Sequence, residues 1–175
     1  MLGQIKTDEK SNEITAIPEW LKCLELKGCL VTIDAMGCQK NIAKEIVSPE
    51  ADYLLAVKDN QPTLHQSIQN YFIEANEANF EGYNIDFAET YDKGHVCQES
   101  RRCWVGYGAL IDGSENCSVI QTIVMVESER TIKDKTTIEH RYYISSTLGT
   151  AEDDLDSSRE HWGIETSKHW CLDIA

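Results

Sequence analysis

The sequence predicts an α/β fold, and three observations carry that expectation. Two short apolar runs, Cys29-Leu30-Val31-Thr32-Ile33 and Ala51-Asp52-Tyr53-Leu54-Leu55-Ala56-Val57-Lys58, read as strands covered on both faces of a parallel sheet. Segments with apolar residues at helical spacing stand before, between and after them. Strand, helix, strand, helix is the order that right-handed crossovers produce.

Residues 2–7 read as the end of a strand whose beginning is absent. Ser11-Asn12-Glu13 offers a helix cap, and residues 13–25 repeat Ile14, Ile17, Leu21 and Leu24 at helical spacing, with Pro18 expected in the first turn. After the first strand, which ends on Asp34, residues 39–47 form a helix with Ile42, Ala43, Ile46 and Val47 as its apolar side. After the second strand, Asp59-Asn60-Gln61-Pro62 turns the chain into a helix over 63–75, carrying Leu64, Ile68, Tyr71 and Phe72. Residues 86–147 then change character. Cys103-Trp104-Val105, residues 119–126 and Arg141-Tyr142-Tyr143-Ile144-Ser145 read as strands, with a turn at Lys133-Asp134-Lys135. From Ala151 the pattern is helical to the end, with Leu155, Trp162 and Ile164 as packing positions.

At 175 residues and 41% hydrophobic content, the chain fits one domain with a proper core. Its apolar runs are too short to cross a bilayer, and its first residues lack the pattern of a leader, so a soluble, intracellular protein is expected. Seven scattered cysteines contain no C-x-x-C pair, which argues against structural zinc and for reduced core residues. The net charge of −14 matters for partners. Proteins that hold DNA on their own surface carry a basic stripe, and no such stripe is visible along this sequence.

Asp34 closes a strand, and open α/β sheets bind ligands outside the carboxyl ends of their strands. The same position is also where an Asp caps the next turn. His161, Glu165 and His169 are spaced by four and share a helix face. That stripe reads as a solvated polar face, as an active-site carboxylate with histidines near phosphates, or, more weakly, as a zinc site. Lys58, Asn60 and Gln61 form a polar cluster on the same sheet edge as Asp34, or a plain turn. His95 stands in a polar loop with Glu99.

Taken together, Lys10-Ser11-Asn12-Glu13-Ile14, Thr32-Ile33-Asp34-Ala35-Met36-Gly37-Cys38-Gln39-Lys40, Asp52-Tyr53-Leu54-Leu55-Ala56-Val57-Lys58-Asp59-Asn60-Gln61 and His161-Trp162-Gly163-Ile164-Glu165 resemble one known group. They are similar to the H-repeat-associated insertion-sequence transposases of the DDE class, in order and over nearly the whole chain. The resemblance implies a ribonuclease-H-like mixed sheet with flanking helices and a strand-rich insertion before the C-terminal helix. It implies that three acidic residues hold two divalent cations, Mg²⁺ or Mn²⁺, for DNA strand cleavage and transfer. The family's second Asp falls on Asp34 and its Glu on Glu165, and both are expected to be catalytic metal ligands.

On this resemblance residues 1–175 form a single, partial catalytic domain, cut at both ends, with 86–147 as the insertion. The family's first Asp has no counterpart in the chain. Val96 and Cys97 replace a Gly and an Arg after His95, His161 replaces an Arg, and Leu172 stands where a Lys or Arg is common. The expectation is a core that is inactive alone. The alternative is a non-enzymatic remnant or a regulator that pairs with full-length transposase. Lys58, Asn60, Gln61, His95, Arg159 and His161 are candidate DNA contacts. The implied partners are transposon-end DNA, reached through the full-length protein, and a second copy of the chain, in the bacterial cytoplasm.

Overall fold

The computed structural model describes residues 13–93, 97–108, 111–114, 119–133 and 135–172, and for 13–15, 97 and 162–172 the backbone alone. It is a mixed α/β structure. The helices are α1 (Glu13–Leu21), α2 (Lys40–Val47), α3 (Pro62–Glu77) and α4 (Ala151–Leu172). The strands are β1 (Leu30–Ile33), β2 (Asp52–Val57), β3 (Ile85–Lys93), β4 (Cys97–Tyr107), β5 (Thr122–Ile132) and β6 (Lys135–Ser145). They form one six-stranded sheet in the order β1-β2-β6-β5-β4-β3. β1 and β2 run parallel, with Ile33 opposite Leu55, and every other neighbour is antiparallel.

Strand alternation divides the core into two layers. Tyr53, Leu55 and Val57 of β2, Ile144 of β6 and Ile123 of β5 face α2 and α3, where Ile42, Ile46, Leu64, Ile68 and Phe72 are buried. Leu54 and Ala56 of β2, Tyr143 of β6, Val124 and Val126 of β5 and Cys103 and Val105 of β4 face the other way, onto Ala151 and Leu155 of α4. Among the described residues one helix, α4, therefore covers the second face.

The start of α4 is fixed by side chains that satisfy its first N–H groups. The Thr150 hydroxyl accepts from the Asp153 N–H at 3.2 Å while Asp153 Oδ2 accepts from the Thr150 N–H at 3.1 Å, a reciprocal capping box. Asp86 on β3 accepts from the Ala151 N–H at 2.8 Å, and the Tyr107 hydroxyl donates to the Gly149 carbonyl at 2.7 Å. The helix is thereby tied to β3 and β4 before it crosses the sheet.

Three local expectations are corrected. β1 is not covered like β2: it pairs with β2 alone among the described residues, and Leu30 is exposed. Its composition matches a central strand, but burial is set by neighbours, and β1 lies at the sheet edge. α1 stops at Leu21, and Pro18 sits inside it, past the first turn. Proline has no N–H to donate there. Leu24 and Leu26 still reach the core, from a turn instead of a helix. Of the described cysteines Cys38 and Cys103 are buried, whereas Cys23 and Cys29 are exposed. The stretch read as an opening strand at 2–7 and the Ser11-Asn12 cap lie outside the described residues. No helix is long and apolar enough to cross a membrane among the described residues.

Candidate active site at the carboxyl edge of the sheet

β1 and β2 end side by side, and Asp34 is the first residue beyond β1. Its backbone stays extended, φ −66° and ψ 177°, so alternation keeps it on the side of Thr32. One carboxylate oxygen, Oδ1, accepts from the Met36 N–H at 3.1 Å and caps the single 3₁₀ turn Ala35–Gly37. The capping and the functional readings of Asp34 are therefore compatible, because a carboxylate has capacity for further partners. Gly37 is required by space. A Cβ there would lie 2.2 Å from Ile33 Cγ2, on the stiff branched side chain that precedes Asp34.

The loop after β1 is braced from the end of β2. The Asn60 amide donates to the Ala35 carbonyl, and Gln61 Nε2 donates to the Cys38 carbonyl at 3.0 Å. Asn60 and Gln61, candidate DNA contacts on the sequence, thus use their amides to fix the turn that follows Asp34. Lys58 is exposed and lines a cavity of about 180 Å³ with Asp59, His65, His140 and Tyr142.

α4 lies against the strand that leads into Asp34. His161 Nδ1 lies 3.1 Å from the hydroxyl of Thr32 on β1. That contact joins residues 129 apart in sequence, and it seats α4 against the strand that leads into Asp34. Position 165 follows one turn further along the same helix, about 6 Å along the axis. The Glu165 and His169 side chains, and all of His95, lie outside the described residues. Arg159, two residues before His161 on the same helix, pairs with Asp92 at 2.9 Å. No group of three His, Cys, Asp or Glu that could hold a metal occurs among the described residues. The Asp34 carboxylate, on a loop braced by Asn60 and Gln61, is the donor type that a hard cation takes.

Two features escaped the sequence. Asp154, in a run of acids that reads as a solvated helix start, is 2% exposed. Burial, and secondarily the charge of Asp153, pushes its carboxyl up to about 7. The second feature is a cavity of about 510 Å³ beside α4, lined by Arg101, Arg130, Arg141 and Arg159 among others. The fold gathers these four arginines from separate elements, together with Glu99 and Glu139.

The chain matches the family described as Transposase DDE domain over residues 1–174. It is 42% identical to the protein named "Putative transposase YncI" of Escherichia coli O157:H7, a match that covers 99% of this chain and 45% of that protein. It is 41% identical to "H repeat-associated putative transposase YhhI" of Escherichia coli K12, over 99% of this chain and 47% of that one. A shorter stretch, 58% of the chain, is 47% identical to "H repeat-associated putative transposase YbfD" of the same strain, covering 39% of it. The chain thus spans about half the length of the curated relatives it matches. No solved structure matches it. The six-stranded mixed sheet with flanking helices is consistent with a ribonuclease-H-like core, and the chain belongs to the family of transposases with a DDE domain.

Proposed function

We propose that this chain forms part of the catalytic core of a DNA transposase, with Asp34 and Glu165 as carboxylate ligands for Mg²⁺ or Mn²⁺. The observation that carries the reading is the contact between Thr32 and His161, which brings the helix bearing Glu165 against the strand that ends at Asp34. Divalent cations, when bound, would activate a water or a 3′-hydroxyl and stabilise the leaving oxygen of a phosphodiester. The chain's own residues position the ligands. Asn60 and Gln61 hold the Asp34 loop by its carbonyls, and His161 fixes α4 on β1. Lys58, His95, Arg159 and His161 stand as candidate phosphate contacts, with Asn60 and Gln61 reaching DNA only if they release the loop. Residues 86–147 are read as an insertion within one catalytic domain. Transposon ends, and pairing with a second copy, are assigned to the whole transposase.

The family's site uses three acidic ligands, and the motifs here supply two. Ligand count and charge set the affinity of a carboxylate site for Mg²⁺. A misplaced attacking oxygen costs orders of magnitude in rate. The expected result is that the purified chain does not nick supercoiled plasmid with Mg²⁺ or Mn²⁺. It should still bind Mn²⁺ weakly, measured by electron paramagnetic resonance, and lose that binding in Asp34→Asn and Glu165→Gln. Nicking abolished by Asp34→Ala and by Glu165→Ala would overturn the inactivity while upholding the site. Unchanged Mn²⁺ binding in both variants would overturn the site itself.

A further inference from the structure

The chain has five arginines, and four of them line one groove. Strand register explains the gathering. Glu99 of β4 lies opposite Arg130 of β5, which lies opposite Thr137 of β6, and the next row is Arg101, Ser128 and Glu139. The row after that holds Val126 and Arg141, where the floor becomes apolar. All these positions share the sheet face that α4 covers, and Ser158 and Arg159 of α4 form the wall. Arg102 points to the opposite face, where it meets Glu127 at 3.0 Å and Glu129 at 2.7 Å.

The groove lies at the functional end of the sheet. β6 pairs with β2 only through Tyr142–Ser145, with Val57 opposite Tyr142. Residues 135–141 therefore run past the carboxyl end of β2, together with the partner segments of β5 and β4. Asp34 closes β1 at that same end, and α4 runs from Arg159 in the groove wall to His161 on β1.

Three of the four guanidiniums are held by carboxylates. Glu139 holds Arg141 with two bonds of 2.9 Å. Glu99 meets Arg101 at 2.8 Å, and Asp92 meets Arg101 at 3.3 Å and Arg159 at 2.9 Å. Four arginines and two glutamates line the groove, and Asp92 meets two of those arginines, in a chain of net charge −14. Planar guanidinium forks match phosphate oxygens in the bidentate geometry they use with carboxylates. We propose that this groove binds the sugar–phosphate backbone of duplex DNA and guides it along α4 toward the edge at Asp34. The choice of DNA over other anions rests on the transposase reading. The contacts read phosphate, so the binding is independent of base sequence.

The test is fluorescence anisotropy of a labelled duplex of arbitrary sequence with the whole chain, in EDTA at low salt. Wild type should bind weakly, with an affinity that falls as salt rises. Arg130→Gln combined with Arg141→Gln should lose about tenfold or more, and the slope of log affinity against log salt should flatten by about two. Arg102→Gln should stay within about twofold. Glu99→Gln combined with Glu139→Gln should bind more tightly, and this pair decides the matter if the arginine variant fails to fold by circular dichroism. Absence of duplex binding, an equal loss in Arg102→Gln, no gain in the glutamate pair, or preference for an acidic peptide would each overturn the groove. Because metal is excluded, such a failure leaves the Mn²⁺ test of Asp34 and Glu165 standing, and the two readings fail separately.

Discussion

Leu155→Ala is expected to destabilise the protein by about 2–5 kcal/mol, the range for truncating a fully buried leucine. Leu155 is 1% exposed and packs with Leu54, Ala56, Cys103, Val105, Val124, Val126 and Tyr143. It anchors α4, which among the described residues is the helix that covers this face of the sheet. The same helix carries His161 and position 165, so the effect should reach the site. Thermal melting should show a midpoint lowered by roughly 4–20 °C, at about 2–4 °C per kcal/mol for a domain of this size. Weak Mn²⁺ binding should fall with it, even at temperatures where the variant remains folded. A full loss of stability with intact metal binding would show that α4 does not position a ligand.

The neighbouring residue should respond in the opposite direction. Asp154 is buried, and its Oδ2 has no hydrogen-bond partner among the described residues. Its carboxyl is raised from 3.8 to about 7, first by burial and then by the charge of Asp153. A carboxyl whose folded-state pKa exceeds its unfolded value binds its proton more tightly when folded. That contribution is complete below pH 3.8 and is lost as pH rises through about 7. Stability should therefore decline between about pH 4 and 7 on account of this group. Asp154→Asn, which keeps the shape and removes the charge, should raise stability by on the order of 2–4 kcal/mol at pH 8. Near pH 4 the variant and the wild type should agree. An equal difference at both pH values, in melts followed by circular dichroism, would contradict a buried ionising carboxyl.

The α/β class was legible because β2 is apolar from Tyr53 to Val57 and the segments beside it repeat at helical spacing. β2, α2 and α3 appear within about two residues of their expected bounds. β1 was placed well but misjudged in burial, since an edge strand and a central one can share a composition. Asn60 and Gln61 announced a polar cluster, but not that their amides turn back onto the Ala35 and Cys38 carbonyls. The groove was hidden for a different reason. Arg101, Arg130, Arg141 and Arg159 come from four separate elements, each with a Glu within two residues, so no long basic run marks them in the sequence. Only the register of β4, β5 and β6 brings them together. Asp154 was hidden because nothing in Glu152-Asp153-Asp154 distinguishes the residue that faces the core. The pairing of Asp34 with Glu165 came from motif resemblance, and the fold adds the Thr32–His161 contact beside it.

In the proposed reading Asp34 and Glu165 share one cation site. Iron-directed cleavage tests it on the chain as it is. Fe²⁺ placed in a Mg²⁺ site, with ascorbate and peroxide, generates hydroxyl radicals that cut the nearest backbone. Mass spectrometry of the fragments should show cuts near residue 34 and near residue 165. Both sets should be suppressed together by excess Mn²⁺ and lost together in Asp34→Asn. Cuts confined to one of the two regions, or a set near 165 that survives Asp34→Asn, would contradict the shared site.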